Sequence, residues 1–322
     1  MTPAVTTERY CLPSTDGVSS CHGIAVVPQD NIRALLLISH GMAEHMERYL
    51  PFMKVLAAHG ILCFGHDHIG HGRAADESGT LGYLPRRTGV RTLVSDVISD
   101  AKRFRSCYPA TPLILFGHSM GSFVARIAVT ESDAKDLFDV LILSGTAAAN
   151  PLSVPGIFLL TLLCYIRGEH TYSARMQNMM FGTYNDRFQK RTAFDWLSSD
   201  NTAVDRYIAD PLCGFPFTVS ALCVLTSLLR ACNTESAFRS TPDNLPILLI
   251  AGREDPVGAY GSGTHTVADA YRAAGCHRVS QNLYSGARHE LLNEPIAPNV
   301  IADLLTYLDD ILPGSVERRP ST

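Results

Sequence analysis

The sequence predicts a doubly wound α/β sandwich, with a mostly parallel sheet and an inserted helical cap. Three observations carry that expectation. Six short, continuously apolar runs alternate with helical stretches, and strands of this kind must be covered on both faces. A Gly-x-Ser-x-Gly pentapeptide, Gly117 to Gly121, falls where one run ends and a helix-like run begins. The alternation then breaks from 147 to 239, a stretch too long for a simple connection.

In chain order, residues before about Asn31 read as an antiparallel pair turning at Asp16-Gly17. The apolar runs 35–39, 61–65, 113–117, 140–144, 247–251 and 279–284 are the expected strands. Helices are expected over 50–59, 90–108, 119–130, 268–274 and 296–312. This places the core in 1–146 and 240–322, and the cap in 147–239. The cap has two very apolar segments. The first, 157–166, is too short to span a bilayer, and Pro155-Gly156 is expected to close its front. The second, 212–229, is interrupted by Gly214, Pro216, Ser220 and Ser227. Both suit helices packed over the core. The second reading is a lid with lipid outside and an acyl chain inside, and the two readings are compatible.

Composition narrows the partners. The chain has 322 residues, 46% of them apolar, with 27 basic against 31 acidic side chains and a net charge of −4. That is ample for a large core. No Lys/Arg cluster appears, so nucleic acid is not an expected partner. Nine cysteines without a C-x-x-C pair point to reduced, mostly buried thiols. The first ten residues lack a charged-then-apolar leader, and no N-x-[ST] sequon occurs. The expected location is cytoplasmic, with peripheral membrane contact through the cap as the second reading. The polar tail 317–322 is expected to fray. Oligomeric state is left open.

The pentapeptide has the layout of a nucleophile elbow, which presents Ser119 at the carboxyl end of the sheet. A serine hydroxyl needs a base, and the base needs a carboxylate to orient it. In chain order the acid follows the serine and the histidine comes last. The run 247–251 ends at Glu254 and Asp255, with Asp255 the stronger candidate and Glu254 its rival. The run 279–284 leads to His289, the last histidine of the chain. Two backbone N–H groups must receive the developing oxyanion. Met120, just after the serine, supplies one; Met42, after His40-Gly41 at the end of the first parallel strand, supplies the other. No metal or organic cofactor is required.

Six histidines between His40 and His71 offer a competing reading. His66-x-His68-x-x-His71 has the imidazole density of a zinc site, but Gly70 stands where an acidic ligand belongs. The expectation is therefore no metal there, with Asp67 and the histidines bonding the loop that follows the strand.

Together these motifs resemble the monoacylglycerol lipase and lysophospholipase branch of the α/β-hydrolases. The resemblance rests on His40-Gly41-Met42-Ala43-Glu44-His45 with Arg48-Tyr49, and on His66 to Gly72. It also rests on Gly117 to Gly121, Gly286 to Glu290, and the cap segment Val204 to Leu212. It implies an α/β-hydrolase fold and a serine carboxylic-ester hydrolase acting on single-chain lipid esters such as monoacylglycerols. It implies Ser119, Asp255 and His289 as triad and Met42 and Met120 as oxyanion donors. It further implies that Glu44 and His118 shape the pocket for a glycerol-like head. Ala43 and Ser122 stand where that branch often has glycine, so the pocket is expected to be narrowed or reshaped. Short-chain carboxylesterase and lysophospholipase are the alternatives within the class. A peptidase would need cap carboxylates facing the pocket, for which Glu169, Asp186, Asp195 and Asp205 are available. A non-catalytic receptor on the same fold is the alternative outside the class.

Overall fold

Apolar residues at every position of a strand are stable only if both sheet faces are covered. A computed structural model, which describes residues 5–312, has eight strands, of which the central five are buried at every position and the two at the sheet edges only in part. They are β1 (Val5–Pro13), β2 (Ser20–Pro28), β3 (Ala34–Ser39), β4 (Ile61–His66), β5 (Leu113–His118), β6 (Val140–Ser144), β7 (Ile247–Gly252) and β8 (Val279–Tyr284). They form one eight-stranded sheet in the order β1-β2-β4-β3-β5-β6-β7-β8. β1 and β2 pair antiparallel, β2 runs antiparallel to β4, and the remaining pairs are parallel. The tail 317–322 lies outside the described residues.

The helices are α1 (Leu50–Ala58), α2 (Gly72–Glu77), α3 (Gly89–Cys107), α4 (Met120–Ala128), α5 (Ser153–Arg167), α6 (Ala174–Phe181), α7 (Asn201–Ala209), α8 (Val219–Cys232), α9 (Glu235–Ser240), α10 (Ser262–Ala273) and α11 (Ala297–Ile311). Alternate residues of each central strand enter different cores. Leu35 and Leu37 of β3 pack with Leu93 and Val97 of α3 and Val124 of α4. Leu36 and Ile38 pack with Phe52 and Met53 of α1 and Leu304 of α11. The seven buried and two exposed cysteines are all free thiols.

Between β6 and β7 the described chain forms five helices, α5 to α9, and only an isolated bridge, Tyr172 to Thr218. α8 packs on α3, α4 and α5. Pro155 does not close the front of the first apolar segment as expected. α5 begins at Ser153, so the proline falls in the first turn, where its missing N–H has no partner to lose. The second segment becomes helical only from Val219, where the Thr218 side chain caps it by accepting from the Ala221 N–H. Among the described residues, no helix is long and apolar enough to cross a membrane.

Candidate active site

The elbow is built from close approaches. A Cβ on Gly117 would lie 2.6 Å from the Gly121 carbonyl, and one on Gly121 only 2.0 Å from the Ser39 carbonyl. Between them Ser119 takes φ 51°, ψ −120°, a conformation a non-glycine residue adopts only under constraint. The constraint includes a hydrogen bond from the Ser119 N–H to the Ser144 carbonyl, 2.9 Å. The extra hydroxyl of Ser122 turns inward and donates to the Ser119 carbonyl at 2.6 Å, reinforcing the turn.

The carboxyl end of β7 delivers Asp255, and the loop after β8 delivers His289. Both are buried, with Asp255 fully so. His289 Nδ1 donates to both Asp255 oxygens at 3.0 Å, which leaves Nε2 as the proton-accepting nitrogen. Asp255 Oδ1 also accepts from the Val257 N–H at 2.9 Å, so the carboxylate is fixed from two sides. Glu254 is exposed, and its N–H donates to the Ala287 carbonyl; it does not meet the histidine. Burial disfavours charge on His289, but the Asp255 carboxylate overrides it and raises the imidazole above its ordinary range. His289 lies against Gly145, the residue after Ser144, where a Cβ would touch His289 Cε1 at 2.8 Å. Among the described residues, no hydrogen bond joins Ser119 Oγ to His289. Such bonds often tighten only with substrate in place.

Met120 opens α4 and Met42 follows Gly41. Neither N–H donates a hydrogen bond among the described residues, so both remain available to an incoming oxygen. Ala43 sits at φ 53°, which explains why glycine suits that position. Its carbonyl accepts from the Gly214 N–H and from Tyr207 Oη, each at 3.0 Å. The loop carrying Met42 is thereby tied to α7 and the turn after it.

Glu44 and His118 both line a small cavity of about 60 Å³ beside this loop. Glu44 Oε1 accepts from the Gly41 N–H and from Tyr49 Oη, and Oε2 accepts from Arg48 at 2.7 Å. Glu44 therefore holds the loop that carries Met42 directly. His118 sits 4.8 Å from the His289 ring, centre to centre. Burial and that neighbour push it down to about 4, so it stays neutral near pH 7.

Sequence reasoning missed the partner of this cluster. Arg48 bridges Glu44 to Glu290, pairing with both Glu290 oxygens at 2.8 and 2.7 Å. Burial raises the Glu290 carboxyl, but the Arg48 guanidinium reverses that and holds it below its ordinary value. The available signal was the acid directly after His289; nothing local linked it to Arg48. Replacing Arg48 by Met strands two buried carboxylates. We expect a loss of about 3–5 kcal/mol in urea unfolding at pH 7. The paired Glu290 stabilises the fold above its unfolded pKa and loses that contribution as pH falls through its lowered folded value. The deficit of Arg48→Met should accordingly shrink at acid pH.

The histidine-rich loop serves the same scaffold. His40 Nδ1 donates to the Gly41 carbonyl at 2.8 Å, and its Nε2 accepts from the His68 N–H at 2.9 Å. His66 pairs with Asp100 at 2.9 Å, and Asp67 accepts from the Met46 N–H at 2.8 Å. Burial and the neighbouring imidazoles push His40 and His68 well below their ordinary range.

An elbow serine at the end of β5, backed by a buried Asp–His pair on a doubly wound sheet, defines an α/β-hydrolase of the serine type. The Hydrolase_4 model, serine aminopeptidase S33, matches residues 30–296, and the chain belongs to that family. It is similar to a monoglyceride lipase homolog of monkeypox virus, 28% identical over 283 residues that cover 86% of this chain and 89% of the relative. It is also similar to the human monoglyceride lipase, 28% identical over 269 residues, covering 83% and 78%. A thermostable carboxyl esterase from Bacillus coagulans, solved with glycerol, superposes with a TM-score of 0.90 at 28% identity over 96% of this chain and 99% of that one. The chain is thus a monoacylglycerol lipase-like α/β-hydrolase, a serine hydrolase of the lipase type.

Proposed function

We propose that this protein hydrolyses monoacylglycerols or similar single-chain lipid esters through an acyl-enzyme. The observation that carries the proposal is the Asp255–His289 pair, 3.0 Å apart, set behind the Ser119 elbow. Ser119 Oγ attacks the ester carbonyl as His289 Nε2 takes its proton. Asp255 orients the ring and stabilises its imidazolium form. The Met42 and Met120 N–H groups hold the oxyanion. His289 then protonates the departing alcohol, and water, activated by the same histidine, releases the acid. Glu44 and His118 shape the head-group end, the first through the Gly41 N–H and the second from beside His289.

Residues 147–239 are the cap of this enzyme, and α5 is its membrane-facing element. Leu160 and Cys164 of α5 are buried, whereas Phe158, Tyr165 and Ile166 are each about two-thirds or more exposed, Phe158 at 72%. An apolar face of that size is typical of a contact surface. Losing two such side chains from lipid removes about 3 kcal/mol or more of transfer free energy. Phe158→Asp with Ile166→Asp should therefore weaken liposome flotation more than tenfold, while turnover of p-nitrophenyl butyrate stays within twofold. Equal flotation of the two proteins would reject α5 as the contact.

The esterase neighbour with glycerol supports a second reading, a short-chain carboxylesterase. The peptidase reading loses support, because the cap carboxylates already have protein partners. Glu169 pairs with Arg86, Asp186 with Lys190, Asp205 with Arg191, and Asp195 accepts from Thr192. A chain-length series of glyceryl esters beside aminoacyl amides tests all three readings.

A further inference from the structure

Outside the catalytic cluster, one group of side chains converges without a role in hydrolysis. We propose that His45, Asp210 and Cys213 form a binding site for one transition-metal cation of the Zn²⁺ class, which clamps the oxyanion loop to the end of α7. The imidazole, carboxylate and thiol donor atoms all lie within 4.8 Å of one another. His45 Nε2 and Asp210 Oδ2 are 2.9 Å apart. The donors come from two separate parts of the chain: His45 from the loop after β3, Asp210 and Cys213 from the turn that ends α7.

That turn is shaped to aim them. The Leu212 N–H donates to Asp210 Oδ1 at 2.9 Å, which leaves Oδ2 for the shared site. The Cys213 N–H donates to the Asp210 carbonyl at 3.0 Å, which brings the thiol back toward the carboxylate. Outer hydrogen bonds of this kind orient ligands before a cation arrives. Metal–ligand lengths of about 2.0–2.3 Å in a tetrahedral site place donors about 3.3–3.8 Å apart. The His45–Asp210 contact must open by about half an ångström, and the widest pair must close by about one, both within side-chain rotation.

The donor set chooses the cation. Nitrogen and sulfur beside one oxygen favour Zn²⁺, Co²⁺ or Cd²⁺ over Mg²⁺ or Ca²⁺. Binding forms the S–metal bond and releases the thiol proton to solvent. His45 and Leu212 also line a surface groove of about 540 Å³ with Glu47, Asp67, Arg9 and Arg73, which gives a path from solvent. The Arg9 charge is met by Glu47 at 2.9 Å. The Asp210 side chain is 32% exposed, so water can complete the coordination. Gly214, next to Cys213, donates to the Ala43 carbonyl, so an occupied site would brace the residue after Met42.

The test titrates the metal-stripped full chain with Cd²⁺ and Co²⁺ and reads thiolate-to-metal charge-transfer absorption, with Zn²⁺ measured by chelator competition. One equivalent with a thiolate band is expected. Cys213→Ser should abolish the band, and His45→Gln and Asp210→Asn should each weaken Zn²⁺ about 10–100-fold. No band in the wild type would overturn the site. So would a band and affinity unchanged in Cys213→Ser, which would put the ion on another of the nine cysteines. Alkylation of Cys213 in the wild type, followed by mass spectrometry, needs no variant: slowing by Zn²⁺ supports the site, and unchanged labelling rejects it.

Discussion

Ser119→Ala should lose about 10⁵–10⁶-fold in kcat on any ester the wild type cleaves, with no change in stability beyond about 0.5 kcal/mol. The size follows from the elbow holding one nucleophile. The neighbouring Ser122 hydroxyl donates to the Ser119 carbonyl at 2.6 Å and faces into the turn, so it is no substitute. Stability should survive because the positive φ of Ser119 constrains the backbone, and alanine carries the same β-carbon. The strain therefore belongs to both proteins equally. Steady-state kinetics with a circular-dichroism melt reads both halves, and a folded variant with wild-type turnover would remove Ser119 from the chemistry.

Asp255→Asn should lower kcat about 10⁴-fold and move the acid limb of the pH profile. Burial of His289 works against a charged ring, and the Asp255 carboxylate more than offsets it, so the imidazole titrates above its ordinary value of 6.5. Only the neutral ring accepts a proton from Ser119. Wild-type kcat/KM should rise as pH rises through that elevated value. Asparagine keeps a hydrogen bond but removes the charge, so the residual activity should reach its plateau at lower pH. The same pair affects stability with the opposite sense. Because the folded pKa is raised, its contribution is full below the unfolded histidine value and is lost as pH rises through the folded one. An acid limb that does not move in the asparagine variant would show that Asp255 does not set the charge of His289.

Strands were the most legible part of the chain. β6 and β8 begin and end where their apolar runs do, and β5 and β7 extend one residue further at the carboxyl end. Burial on both faces leaves no polar position inside the β5, β6 and β7 runs, whereas β8 is only partly buried and carries Ser280, Gln281 and Asn282. Helices with weak or interrupted stripes were not legible. α2, α6 and α9 are six to eight residues each, with one or two buried positions, too few for a periodicity. α10 starts at Ser262, ahead of the expected 268, because its first turn of Ser, Gly, Thr and His carries no apolar signal. At the site, Ser119, Asp255 and His289 stood out because each follows a strand in a fixed order. The Glu44–Arg48–Glu290 cluster did not, because Arg48 and Glu290 are 242 residues apart and meet only in the folded chain. Ala43 shows the complementary case. It departs from a glycine pattern, and the structure places it at φ 53° with its carbonyl anchoring Tyr207 and Gly214.

Serine-dependent hydrolysis of a long-chain glyceride is the activity proposed for this protein. The most direct measurement is hydrolysis of 1-monooleoylglycerol by the wild type and Ser119→Ala, with p-nitrophenyl butyrate in parallel. Turnover of the long-chain glyceride should exceed that of butyrate in kcat/KM and vanish in Ser119→Ala. Turnover of butyrate alone, or glyceride hydrolysis that persists without the serine, would contradict the proposed activity.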